Sequence, residues 1–262
     1  MINELTIMPG INKLGEKERF DNITFKAGET ISVVGPTGSG KTALITDIEL
    51  LAQKDTATKR KIFINGKAPD DETRFNPSLK PIAMITQNTK CFADFTVREF
   101  LNTHIRARKI NGIGLIEDTI ELANKFTGEK IKEEYKVTTL SGGQTRSLLI
   151  ADAILIGASP IILLDEIENA GIFKQEVLNM IHNKKKIIIF VTHDPVIALN
   201  TQKRIIMRNG AVTEVIHRNI VEEETVKILL ELDESLSKIR EMLRVGQIIS
   251  SEHLCFNIKK GG

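Results

Sequence analysis

The sequence is poor in the residues that build covalent staples or fixed metal centres. It has only two cysteines, Cys91 and Cys255, and no Cys or His pairing at metal-binding intervals. Such sparse thiols belong to a reduced intracellular setting rather than to a disulfide framework. The five histidines, His104, His182, His193, His217 and His253, are scattered, with no two at ligand spacing. No apolar run approaches the roughly 20 residues needed to cross a bilayer. The opening Met1-Ile2-Asn3-Glu4-Leu5 lacks the basic and apolar regions of a secretion leader. A cytoplasmic protein is therefore expected, and work at a membrane would be peripheral, at its inner face, through another subunit. Charge of one sign is not in excess either. The 36 basic and 34 acidic side chains leave +2, short of the surplus of a dedicated nucleic-acid binder, so there is no clear nucleic-acid signal. Repeats and low-complexity tracts are also missing.

What is present is an ordinary globular composition over 262 residues, 41% hydrophobic and 27% charged. A chain of that length can bury roughly three quarters of its unfolded surface. Short strands are expected up to Phe25. Thr30-Ile31-Ser32-Val33-Val34 then reads as a buried β-branched strand, followed by a glycine-rich loop. Beyond the loop, Leu44, Ile45, Ile48, Leu51 and Ala52 recur at helical spacing. Residues 54–80 are polar apart from Lys61-Ile62-Phe63-Ile64, and Ile82-Ala83-Met84-Ile85 is a further strand. A charged helical pattern runs from Thr96 to about Tyr135 with a break at Asn111-Gly112-Ile113-Gly114, and a second helix is expected from Gln144 to Ile156. The apolar runs Ile161–Leu164 and Ile187–Val191 alternate with helices, which predicts a parallel sheet covered on both faces. A hairpin through Asn209-Gly210 closes this part of the chain.

Gly35-Pro36-Thr37-Gly38-Ser39-Gly40-Lys41-Thr42 fits G-x-x-x-x-G-K-[ST] between a strand and a helix, the context in which that spacing cradles phosphate. Its glycines let consecutive backbone N–H groups turn inward, and the helix N-terminus adds partial positive charge. Lys41 is expected to reach the β- and γ-phosphates of a nucleotide, and the Thr42 hydroxyl to ligate Mg²⁺. Alone, the motif defines a nucleoside triphosphatase.

Leu140-Ser141-Gly142-Gly143-Gln144 narrows the class. It matches the signature pentapeptide of ATP-binding cassette proteins without a change, and the chain resembles that family over approximately residues 5–215. The resemblance implies an α/β phosphate-loop NTPase core with a mixed, mainly parallel sheet, an N-terminal antiparallel β subdomain and a helical signature subdomain at about 92–150. The expected division is an ATPase domain over 1–220 and a helical extension over 221–262. The resemblance also implies a second copy of the chain, each signature (Ser141, Gly142, Gly143, Gln144) capping ATP held by the other protomer. Pro160-Ile161-Ile162-Leu163-Leu164-Asp165-Glu166 looks like the family's Walker B strand, with Asp165 serving Mg²⁺ through water and Glu166 polarising the attacking water. Gln87 resembles the glutamine that senses Mg²⁺ and γ-phosphate, and His193, in Val191-Thr192-His193-Asp194, resembles the switch histidine.

Three features depart from the family pattern. After Glu166 the chain reads Ile167-Glu168-Asn169-Ala170-Gly171-Ile172-Phe173, without the usual D-loop aspartate. Phe20 and Phe25 are the aromatics upstream of the first buried strand, and both read as strand core rather than as an adenine platform. Finally, Leu229, Leu232, Leu236, Ile239 and Leu243 form an apolar helical stripe that either packs on its own domain or docks elsewhere. The family resemblance favours an ATPase subunit energising a separate membrane permease. The alternative is a soluble ATPase that remodels a protein or nucleic-acid complex with a soluble partner, which Asp165-Glu166-Ile167-Glu168, lacking proline, also fits.

Overall fold

In a computed structural model, which describes residues 2–127, 129–166 and 183–250, the strands divide into two sheets. β1 (Glu4–Met8), β2 (Ile23–Lys26) and β4 (Lys61–Ile64) form a three-stranded antiparallel sheet in the order β2-β1-β4. β3 (Thr30–Val34), β5 (Ile82–Thr86), β6 (Ile161–Asp165), β7 (Ile187–Val191), β8 (Lys203–Arg208) and β9 (Ala211–His217) form a six-stranded sheet in the order β5-β6-β7-β3-β8-β9. Its neighbours run parallel except for the closing β8–β9 hairpin. The segment 167–173, with the altered D-loop, lies outside the described residues, as does Cys255.

The unbroken apolar character of β6 and β7 follows from burial on both faces. Ile162, Leu164, Ile188 and Phe190 point into one core, with α3 (Val97–Arg108), α4 (Leu115–Lys125) and α5 (Gly142–Leu155) supplying its other side. Ile161, Leu163, Ile187, Ile189 and Val191 point into a second core, closed by α1 (Lys41–Glu49) and the antiparallel sheet. Thr96 opens α3 through a reciprocal capping box with Glu99. The helical pattern expected as far as Tyr135 stops at Lys125. Beyond Phe126 the Asn124 side chain binds both backbone groups of Ile131, fixing a loop instead of another turn. A short helix, α2 (Asp71–Phe75), capped by Asp70, stands within the polar stretch 54–80. Phe25 is strand core as expected, but Phe20 precedes β2 and only packs partly against the second core.

Charged groups hold the two sheets together. Arg60 is wholly buried between Glu18 and Asp47, with ion-pair contacts at 2.7 and 2.9 Å. Arg60 Nη2 also donates to the Gly210 carbonyl at 2.8 Å, and Glu18 accepts from the backbone N–H groups of Gly10 and Val212. The loop before β2, the helix α1, the strand β4 and the β8–β9 turn thus meet at one guanidinium. Removing it strands two buried carboxylates, so Arg60→Met is expected to cost about 3–5 kcal/mol of stability. Urea unfolding followed by circular dichroism measures this, and a midpoint matching the wild type would show the network to be dispensable.

Candidate functional site

Parallel pairing places the ends of four strands along one edge of the large sheet. In register, Thr86 lies beside Asp165, Asp165 beside Val191, and Val191 beside Val33. The chain therefore leaves that edge at adjacent places as Gln87, Glu166, Thr192-His193 and Gly35. Glu166 N–H bonds the Val191 carbonyl at 2.9 Å and extends the edge by one residue. Ligand crevices in open α/β sheets form outside such carboxyl ends. Past the ends of β3 and β7 lies an open cavity of about 480 Å³, lined by Gly35, Pro36, Thr192, His193 and Arg204 among others.

The phosphate loop has the backbone its sequence requires. A Cβ at Gly35 would come within 2.4 Å of the Met207 carbonyl oxygen and 2.7 Å of Ser39 Oγ. Gly40 has φ 102°, and a Cβ there would meet Gly210 Cα at 2.8 Å. No side chain is accommodated at either place. Lys41 Nζ lies across the loop, donating to the carbonyls of Gly35 and Pro36 at 2.8 and 3.3 Å. Pro36, Thr37 and Gly38 form the exposed crest, while Ser39 is buried beneath it. The first turn of α1 has neither a side-chain cap nor an acidic residue, so its amide groups are available to an anion. Ser39 Oγ is buried with no partner among the described residues. An uncapped helix start over an orphaned hydroxyl fits phosphate chemistry.

The β8–β9 turn and the loop before β2 support this cradle from behind. Gly210 N–H donates to the Ser39 carbonyl at 2.8 Å, and Lys13 Nζ to the Gly38 carbonyl at 2.6 Å. Lys13 escaped the sequence reading because a lysine in a polar loop carries no signal of what it touches. Neither Phe20 nor Phe25 offers an exposed ring for stacking a base.

Asp165 and Glu166 present consecutive carboxyl groups at the tip of β6. Burial, with the neighbouring Glu166 charge, pushes the Asp165 carboxyl above its ordinary value, and Lys41 opposes this. A divalent cation would relieve that strain and hold Asp165 ionised. Thr42, exposed on the first turn of α1, adds a hydroxyl, and Gln87, also exposed, an amide. Oxygen donors of these kinds would suit Mg²⁺, which takes one or two carboxylates and completes its shell with phosphate and water. No group of three or more His, Cys, Asp or Glu side chains of metal-binding arrangement occurs among the described residues. Glu166 has φ 53°, a left-handed conformation that costs a non-glycine residue on the order of 1 kcal/mol. Such strain concentrates where a side chain must be aimed. His193 is exposed after β7, and Asp194 beside it caps α6 (Pro195–Asn200).

Ser141 and Gln144 form a reciprocal capping box at the start of α5. Ser141 Oγ accepts from Gln144 N–H at 3.3 Å, and the Gln144 side chain accepts from Ser141 N–H at 2.9 Å. Ser141 and Gly142 are exposed, Gly143 is half-buried and Gln144 is buried. Among the described residues no hydrogen bond or ion pair joins this turn to residues 35–42 of the same chain. Arg146, one turn further along α5, donates to the Gln87 carbonyl at 3.0 Å. It ties the signature helix to the loop after β5, a contact that spacing in the sequence did not reveal.

A phosphate-loop nucleoside triphosphatase with a cassette-type signature helix is what this fold and site define. The family model described as "ABC transporter" matches residues 20–169, more than half of the chain. The chain is also similar, at 46% identity over 258 residues, to an uncharacterized ABC transporter ATP-binding protein of Methanocaldococcus jannaschii, covering 98% of this chain and 99% of that one. A thiamine import ATP-binding protein of Brucella suis is 30% identical over 207 residues, 76% of this chain and 82% of that protein. Among solved structures, CbiO1 of Clostridium perfringens, part of an ABC transporter complex, superposes with a TM-score of 0.64 at 21% identity over 93% of this chain and all of that one. The chain belongs to the ABC transporter family and is an ATP-binding ATPase of that family. Among the described residues no helix is long and apolar enough to cross a membrane.

Proposed function

We propose that two copies of this chain close head to tail around two molecules of MgATP and that hydrolysis drives a separate integral membrane permease. The backbone of Gly35–Gly40 cradles the phosphates, and Lys41 turns from its loop carbonyls to the β- and γ-oxygens. Thr42, Asp165 and Gln87 would hold Mg²⁺, which would neutralise phosphate charge there. Glu166 orients and deprotonates the attacking water, and His193 bridges that water and the γ-phosphate. The exposed turn Ser141–Gln144 of the second copy covers the nucleotide with the amide groups of its helix start. Residues 1–220 constitute the ATPase domain, with 92–150 as its helical insertion, and 221–262 are an appended segment.

The observation that carries this reading is the shared edge. Strand register sets Gln87, Asp165-Glu166, Thr192-His193 and the phosphate loop side by side, and among the described residues the signature turn has no bond to that loop. This separation supports a lid supplied by a second copy. The protein then works at the inner face of a membrane through its partner. Tagged protein isolated from detergent-solubilised native membranes is expected to bring down an integral membrane subunit in stoichiometric amount. Recovery of soluble partners alone, with none from the membrane fraction, would replace the permease with a remodelling role.

A further inference from the structure

Arg60 is wholly buried, yet its guanidinium reaches four acceptor atoms on three parts of the fold. Nε and Nη2 donate to the Glu18 carboxylate at 2.8 and 2.7 Å, and Nη1 donates to Asp47 Oδ2 at 2.9 Å. Nη2 also donates to the Gly210 carbonyl at 2.8 Å. Glu18 in turn accepts from the N–H groups of Gly10 and Val212 at 2.9 and 2.8 Å, and Asp47 accepts from the Thr58 hydroxyl at 2.7 Å. A buried ion triad gains little over apolar side chains of the same volume. What apolar packing cannot supply is direction. A planar guanidinium supplies it, because its donors leave in a rigid fork.

Two of those acceptors flank the phosphate loop. Asp47 belongs to α1, the helix into which the loop runs, and Gly210 belongs to the β8–β9 turn on which the loop rests. Gly210 takes the guanidinium on its carbonyl and gives its own N–H to the Ser39 carbonyl at 2.8 Å. In a trans peptide the C=O and N–H point to opposite sides. Holding the Ser39 carbonyl on the turn therefore directs the Gly40 N–H away from it, and that N–H has no acceptor among the described residues. It is the kind of free backbone donor that a phosphate oxygen takes up. We propose that Arg60 is a positioning residue for the nucleotide site: one guanidinium sets α1 and the β8–β9 turn at the spacing at which the loop between them presents its amide groups to phosphate. Arg60 acts through Gly210 and Asp47, without touching nucleotide itself. The proposal rests on the reading that Gly35–Thr42 holds the nucleotide.

Two variants break the two branches separately. Arg60→Lys keeps a positive charge beside Glu18 and Asp47 but lacks the fork that also reaches Gly210. Asp47→Leu frees α1 and leaves Arg60 matched one to one with Glu18, so it is the milder change for the fold. Each is expected to weaken MgATP binding about tenfold, the effect of misaligning a donor to a charged ligand. The loss should fall on KM, with kcat at saturating MgATP within about twofold of wild type, because ground-state and transition-state binding weaken alike. Leu101→Ala, in the first core on α3, is the control for lost stability alone. Titration calorimetry with MgATP, run below the melting midpoint of every protein, should give the control wild-type affinity. Wild-type affinity in folded Arg60→Lys and Asp47→Leu would overturn the proposal, as would an equal loss in Leu101→Ala or a loss confined to kcat. If Arg60→Lys fails to fold, Asp47→Leu decides. Lys41→Ala measured alongside tests the underlying reading. Wild-type affinity there places the nucleotide elsewhere, whereas a loss there with none in the Arg60 and Asp47 variants removes only the positioning role.

Discussion

Lys41→Ala is expected to reduce ATP affinity by roughly 10²- to 10⁴-fold, since it removes two charge-assisted bonds to phosphate at about 1.5–3 kcal/mol each. Stability should change little by comparison, because among the described residues the ammonium donates to the Gly35 and Pro36 carbonyls, both on the loop itself. Titration calorimetry with MgATP, beside a thermal melt of each protein, separates the two quantities. Near-normal affinity in a well-folded variant would mean that nucleotide is held somewhere other than the Gly35–Thr42 loop.

Glu166→Gln has the second large effect. Glu166 takes a left-handed backbone at the tip of β6, next to an Asp165 whose own carboxyl is raised by burial. An amide of the same shape keeps the geometry and cannot take a proton. Turnover is expected to fall about 10²–10⁴-fold, the usual contribution of a positioned base. ATP affinity should survive, so a nucleotide-bound dimer should accumulate and elute early in size-exclusion chromatography with MgATP. Wild-type turnover would remove Glu166 from the role of base.

The parallel sheet was legible because Ile161–Leu164 and Ile187–Val191 are apolar at every position, a pattern few other environments produce. The phosphate loop was legible because Gly35 and Gly40 have no steric alternative, so spacing and geometry coincide. The positions of Glu166 and His193 relative to the sheet were legible because Glu166 stands one residue and His193 two residues past a strand that an apolar run announces. What escaped was built from long-range partners. Glu18, Asp47 and Arg60 look like ordinary surface charges until folding brings them together at the Gly210 carbonyl. The same holds for Arg146 on the Gln87 carbonyl. α2 is too short for periodicity to register and depends on one cap from Asp70. The end of α4 is set by Asn124 binding across to Ile131, which no local propensity encodes.

Strand β8 bears on two distant parts of the chain. Arg204, on the strand, grips Glu222 of the tail helix α7 (Ile220–Arg244), and just past the strand Gly210 braces the carbonyl of Ser39 in the floor of the glycine-rich loop. The tail and the nucleotide cradle consequently hang from one beam. One short stretch, Arg204 to Gly210, thus carries both the ion pair that anchors α7 and the turn that holds the Ser39 carbonyl, so a substitution that displaces β8 would disturb both at once.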